Sequence, residues 1–146
     1  MARIKIDLPE TFFFSSVIPV RITDINYGGH VGNDTVLSII HEARMQFFKY
    51  MGYTEMNFAG SGMLMTDVAI EFKKELFYGD AVIVEVTAGD ISKVGFDIFY
   101  KLGVIRQMQG DKIMLVATAK TGMICYDYEK KKIVAVPDEG KKKLVS

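Results

Sequence analysis

At 146 residues, with 49% hydrophobic side chains and 12% aromatics, the chain has the size and composition of one compact domain, 1-146, with a sizeable core and no internal boundary. Its 18 basic and 18 acidic residues cancel, which excludes a net field for nucleic acid or an anionic membrane, and its one cysteine, Cys125, excludes an intrachain disulfide, a CxxC redox pair and a cysteine zinc cluster. Charges break up residues 1–7 and no apolar run approaches the roughly 20 residues of a membrane span, so a soluble, cytoplasmic protein without membrane or nucleic-acid partners is expected.

Residues 17–23 are β-rich and lead into a polar, glycine-bearing stretch, 24–33, with the composition of a functional loop. A helix follows. Asn33 or Asp34 supplies an N-cap, residues 35–51 contain neither glycine nor proline, and Gly52 stops the run after about five turns. Ser38, His41, Glu42, Gln46 and Lys49 form its polar stripe. The rest of the helical wheel, from Val36 and Ile39 to Phe47, Phe48 and Met51, is apolar, which predicts a helix wrapped by other structure.

From Gly62 the pattern turns to β, with runs at 63–72, 81–91, 96–104, 113–126 and 133–136. The separators, among them Tyr78-Gly79-Asp80, Lys93-Val94-Gly95 and Gln109-Gly110-Asp111, are too short for parallel crossovers, so the strands pair antiparallel. The expected class is α+β, one long helix on one curved antiparallel sheet. Such a sheet leaves a face or edge to bury elsewhere, and a homodimer or homotetramer is expected.

The densest polar constellation runs from Arg21 through Thr23-Asp24-Ile25-Asn26-Tyr27-Gly28-Gly29-His30-Val31-Gly32-Asn33 into the helix. A helix N-terminus offers unpaired N–H groups and the positive end of a dipole, so the amides near Gly32 and Asn33 suit a developing oxyanion; an ordinary cap and glycine turn is the alternative. Asp24 is either a base or the acceptor that ties the turn. His30 exchanges protons near neutrality or fixes the loop through backbone bonds. Strand alternation sets Asp67 in one column with Met63, Met65 and Ala69, where a buried carboxylate is either a water-activating base or the partner of Arg44. Glu42 lies at the edge of the polar stripe, where solvent exposure accounts for it.

This run resembles the loop-and-helix signature of the hot-dog thioesterases of the 4-hydroxybenzoyl-CoA thioesterase type, with Glu42-Ala43-Arg44 similar to the family's mid-helix segment and Phe72 followed by Tyr78-Gly79-Asp80 similar to its strand end and turn. The resemblance spans residues 17–104 and continues more loosely to the end. It implies the hot-dog fold and hydrolysis of an acyl-CoA to free acid and CoA, with no cofactor and no metal. The family's catalytic carboxylate sits two residues after the position matching Asp24, and here that residue is Asn26, an amide that neither attacks nor deprotonates as a carboxylate does. Asn26 with His30 resembles instead the asparagine and histidine pairing of acyl-ACP thioesterases. In that arrangement Asn26 orients the carbonyl or a water, His30 moves a proton, and Asp67 or Asp24 activates the water. CoA phosphate binding is implied at the turn holding Lys93. Two alternatives stand beside this reading, a non-catalytic acyl-CoA-binding or sensing module and a hydroxyacyl-CoA dehydratase or hydratase.

Overall fold

The computed structural model describes residues 3–106, 110 and 112–145. Its elements are β1 (Phe14–Pro19), a 3₁₀ turn (Ile22–Asp24), α1 (Asn33–Tyr50), β2 (Gly62–Phe72), β3 (Ala81–Gly89), β4 (Gly95–Val104), β5 (Met114–Asp127), β6 (Lys132–Ile133) and α2 (Asp138–Leu144). The strands form one antiparallel sheet in the order β1-β3-β4-β5-β2, with β6 paired to the end of β5. Of the expected turn at Gln109-Gly110-Asp111, Gln109 and Asp111 lie outside the described residues.

Alternation explains the sheet. Phe96, Ile98, Tyr100, Leu102 and Val104 of β4 face the helix and are buried, as are Val82, Val84 and Val86 of β3, while Asp97 and Lys101 point to the outer face. Onto the inner face α1 lays Val36, Ile39, Ile40, Ala43, Phe47 and Phe48, all buried, and Gly52 ends the helix with a φ of +88°, a conformation glycine adopts without strain. Rings of Phe13, Phe14, Phe47, Phe48, Phe58 and Phe96 meet at centroid distances of 5.4 to 5.9 Å through the core. This is the hot-dog arrangement that the resemblance implies, with α1 as the filling.

Four expectations change. β1 starts and ends earlier than the run at 17–23, because Val20 N–H bonds to the Asp80 carbonyl outside the strand ladder and the chain then enters the 3₁₀ turn. The helix starts at Asn33, two residues before 35, with Gly32 as its cap. The run at 133–136 is strand only at its first residue. The stretch after residue 136, to which the sequence pattern assigns no element, carries a second helix, which buries Leu144 and seats Gly140 so close to Phe58 that a Cβ there would stand 2.4 Å from the ring.

The helix lies nearest β1 and β3. On the far side β2 is covered only at its start, where Met63 is buried, and Met65, Val68 and Phe72, whose partners Met123, Thr121 and Ala117 are buried on the inner face, stand exposed at the open edge of the sheet.

Candidate functional site

Asp24 closes the 3₁₀ turn: its Oδ2 accepts the Arg21 N–H at 2.8 Å and its Oδ1 lies 3.4 Å from the Arg21 guanidinium. With both oxygens engaged, the turn-tying reading of Asp24 is the one the geometry carries. Next, a bridge between Ile25 and Val31 pinches off the segment 26–30. Asn26 N–H donates to the His30 carbonyl (3.0 Å), Gly29 N–H donates back to the Asn26 carbonyl (3.1 Å), and Asn26 Oδ1 accepts the Gly28 N–H (2.9 Å). Gly29 sits at φ +87°, and Tyr27 projects fully into solvent at the tip. The fold of this turn brings Asn26 and His30 together: a Cβ placed on Gly28 would be 3.1 Å from Asn26 Oδ1 and 3.7 Å from His30 Nε2.

Past the turn the helix begins without a side-chain cap. The Gly32 carbonyl accepts the N–H groups of Thr35 and Val36, the Gly32 N–H points at the Asp24 carbonyl across the Ile25–Val31 bridge, and the Asn33 N–H finds no acceptor among the described residues. A side chain on residue 32 would crowd this end of the helix, since a Cβ there would meet Asp34 Oδ1 at 2.7 Å and Asn26 Nδ2 at 3.5 Å.

The Asn33 end of the helix borders a cleft of about 220 Å³ lined by His30, Asn33, Val36, Phe72, Lys73 and Glu75, with Leu76, Val116 and Ala117 completing an apolar wall. The loop and the segment after β2 are bolted together here by the Val31 N–H, which donates to the Leu76 carbonyl at 2.9 Å. The same bolt puts Glu75 beside His30, with Oε1 3.7 Å from Nε2, while His30 Nδ1 lies 3.2 Å from the Val31 carbonyl. Lys73, 3.6 Å from Glu71, and Lys74 place two cations on the rim beside Glu75, within reach of an anionic group of a ligand. A second cleft, of about 310 Å³, lies on the β1 side of the helix and includes Arg21, Asp24, Ser38, Glu42 and Gln46. It holds neither the Asn33 amide nor His30, and Glu42 there accepts a hydrogen bond from Gln46 (2.8 Å).

Two expected site residues lie elsewhere in the chain. Asp67 is not in the column of Met63 and Met65, because β2 bulges between Met65 and Asp67 and the extra residue turns Asp67 and Ala69 to the outer face. There the Asp67 side chain is 60% exposed, takes Lys120 Nζ at 2.9 Å and the Gly122 N–H at 3.0 Å, and the lysine holds its carboxyl below the usual carboxylate range. A buried base with a raised pKa is therefore not what this residue is. Nor is Arg44 its partner: that buried guanidinium donates to Glu55 (2.6 Å) and to Tyr100 (3.4 Å). Lys93 occupies the turn before β4, and the strand between Gly95 and Leu102, opposite Ala117 of the cleft, separates it from the site by about 23 Å.

Sequence reasoning missed Glu75, Lys73 and Lys74. They follow Phe72 in a segment whose only local signal is the Tyr78-Gly79-Asp80 turn, and their link to the loop is a backbone bond across 45 residues, which leaves no trace in side-chain pattern.

Residues 20–144 match the thioesterase-like superfamily. A 1,4-dihydroxy-2-naphthoyl-CoA hydrolase of Rippkaea orientalis is 27% identical over 105 residues, covering 70% of this chain and 73% of that protein. A 1,4-dihydroxy-2-naphthoyl-CoA thioesterase from Synechocystis superposes with a TM-score of 0.80 at 19% identity, over 91% of this chain and 96% of that one. A mutant of 4-hydroxybenzoyl-CoA thioesterase complexed with 4-hydroxybenzoyl-CoA gives 0.79 at 16% identity, over 90% of this chain and 97% of that one.

Proposed function

The chain belongs to the thioesterase-like superfamily, and from that premise we propose that it hydrolyses an acyl-CoA thioester to free acid and CoA in the cleft beside the N-terminus of α1. One observation carries the reading: the first N–H groups of α1, that of Asn33 unpaired, open beside a cleft that His30 shares. A thioester carbonyl set against them gains charge as it becomes tetrahedral, and each well-placed donor then stabilises it by roughly 3 kcal/mol. Asn26 holds the turn by its Oδ1 and turns its amide nitrogen toward Gly32, where it orients the carbonyl. His30 supplies the mobile proton. The apolar wall of Val36, Phe72, Leu76, Val116 and Ala117 takes the acyl group, and Lys73 and Lys74 face the CoA phosphates. The named relatives act on aromatic acyl-CoAs, which supports an aromatic acyl group here too.

The working form is a homodimer joined at the edge of β2, because an unpaired strand edge carrying exposed Met65, Val68 and Phe72 is suited to pairing with its own copy. Lys93, distant from the cleft of its own chain, would reach a bound CoA only across that boundary. Among the described residues no helix is long and apolar enough to cross a membrane. The single buried thiol, Cys125, suits a reducing cytoplasm, where we place the protein.

The test is a thiol-release screen over short, medium, long and aromatic acyl-CoAs. Thiol release from at least one is expected. Calorimetric binding without turnover across the set would make the chain a silent acyl-CoA-binding module, and a change in enoyl absorbance without thiol would make it a hydratase.

A further inference from the structure

Hydrolysis needs a base for the attacking water, and Asn26 cannot be one. Of the carboxylates around the site, Asp34 in the first turn of α1 does not line the cleft, and most of the others are committed elsewhere. Asp24 is held by Arg21, and Asp80 accepts two bonds from Arg106, at 2.8 and 3.3 Å, and one from the Phe77 N–H. Glu71 takes the Ile6 N–H at 2.6 Å, and Asp67 is bound to Lys120, on the outer face. Glu75 differs from all of these. Its carboxylate lines the cleft at the Asn33 end of the helix, accepts no hydrogen bond within 3.5 Å and is 61% exposed, so its lone pairs are free for water.

Its backbone, by contrast, is fixed. The Arg106 guanidinium donates to the Glu75 carbonyl at 2.9 Å while it grips Asp80 and lies over the Phe77 ring, and the next carbonyl, Leu76, accepts the Val31 N–H. A braced main chain under an unengaged carboxylate is the preorganisation a base requires. The 3.7 Å gap to His30 Nε2 is wide for a direct bond and suits a bridging water. With Nδ1 of His30 turned to the Val31 carbonyl, Nε2 is the ring nitrogen that faces the cleft and Glu75.

Resting on the hydrolase reading, we propose that Glu75 is the general base and that His30, whose Nε2 faces it, is its acid partner. Glu75 takes a proton from water as the water oxygen bonds to the thioester carbon, and the carbonyl π pair moves to the oxygen held at the N-terminus of α1 by the Asn33 amide. That pair returns as the C–S bond breaks, and the thiolate takes the Nε2 proton of His30. Glu75 then passes its proton to His30, which restores both groups and leaves free acid and CoA thiol.

The test is steady-state kinetics of the full chain on the best substrate of the thiol-release screen. Glu75→Gln is expected to lower kcat about 100-fold or more, with KM within about threefold of the parent. Glu75→Ala is expected to recover at least about tenfold with added formate, which a purely structural side chain would not show. Glu75→Gln turnover within about threefold of the parent overturns the assignment, and so does a Glu75→Ala loss that formate leaves unchanged. If the parent itself releases no thiol from any substrate, the hydrolase reading falls and the assignment falls with it.

Discussion

Asp67 Oδ1 lies 2.9 Å from Lys120 Nζ on the sheet face that α1 never touches. Whatever the cleft does, this pair is on the other side of the sheet, and along β2 Asp67 is five residues, about 17 Å, from Phe72 at the cleft. Asp67→Asn is therefore expected to leave kcat and KM within about twofold of the parent. Being an exposed pair, it is also expected to change stability by no more than about 1 kcal/mol. A tenfold fall in kcat, on the order of 1.4 kcal/mol in the barrier, would mean the outer-face placement is wrong.

The misplacement of Asp67 shows where sequence pattern stops. Periodicity found α1, because its apolar arc, the loop before it and Gly52 after it are local signals, and it found the strand runs of the sheet for the same reason. One extra residue in β2 is invisible to it. A bulge conserves composition and inverts every later side chain, so Asp67 and Ala69 exchange faces with Val68 and Ile70. Likewise Asn26 and His30 were legible, since their turn closes within five residues, but Glu75 was not, since only the Val31 to Leu76 bond brings it to them. The C-terminal helix was hidden by its lysines, which sit on a helix whose stability comes from the tertiary contacts of Gly140 and Leu144.

Arg44 is buried in the middle of α1, and its guanidinium links Glu55 to Tyr100, whose hydroxyl in turn shares a 2.7 Å bond with Thr121. The chain thereby ties helix, connecting loop, β4 and β5 through one polar path. Arg44→Ala strands the Glu55 carboxylate and leaves a cavity, and a loss of roughly 3 kcal/mol is expected in urea unfolding, at the lower end for buried pairs because Glu55 keeps some solvent contact. Arg44→Met fills the space and preserves the Tyr100 to Thr121 bond, so it is expected to lose less. Equal losses for the two would show that packing around the aliphatic stem, not the ion pair, holds this region.

The dimer has its own test at Val68. This residue pairs with Thr121 across the ladder and stands 40% exposed on the uncovered inner face of the edge strand. A lysine there keeps the strand but places a charge in the expected seam, one of the devices by which natural edge strands avoid pairing. Val68→Lys is expected to run as a folded monomer in light scattering where the parent runs as a dimer. A Val68→Lys protein that remains dimeric would move the interface away from β2.

Acid behaviour discriminates between carboxylates on the same sheet face. Asp97 is pushed above its ordinary value by burial first, with Asp90 and Asp67 adding to the push and Lys120, 3.6 Å away, opposing it. A folded-state pKa above the unfolded one means the folded protein binds that proton more tightly, so ionised Asp97 costs stability at every pH above the unfolded value of about 3.9. Asp67 and Asp80 are shifted the other way, by Lys120 for the first and, against a burial that works upward, by Arg106 and the Phe77 N–H for the second. Their contribution is present above that same value and is lost as pH falls through their folded pKa values. Asp97→Asn removes the costly charge, while Lys120 keeps Asp67 at 2.9 Å. The variant is therefore expected to melt above the parent near neutrality and to converge with it below about pH 3.9, whereas Asp80→Asn melts below the parent near neutrality and converges in the same acid range. If Asp97→Asn instead lowers the neutral melting temperature, the attraction of Lys120 outweighs burial at Asp97, and the outer face of β4 and β5 is held by a three-membered ion cluster and not by the Asp67 pair alone.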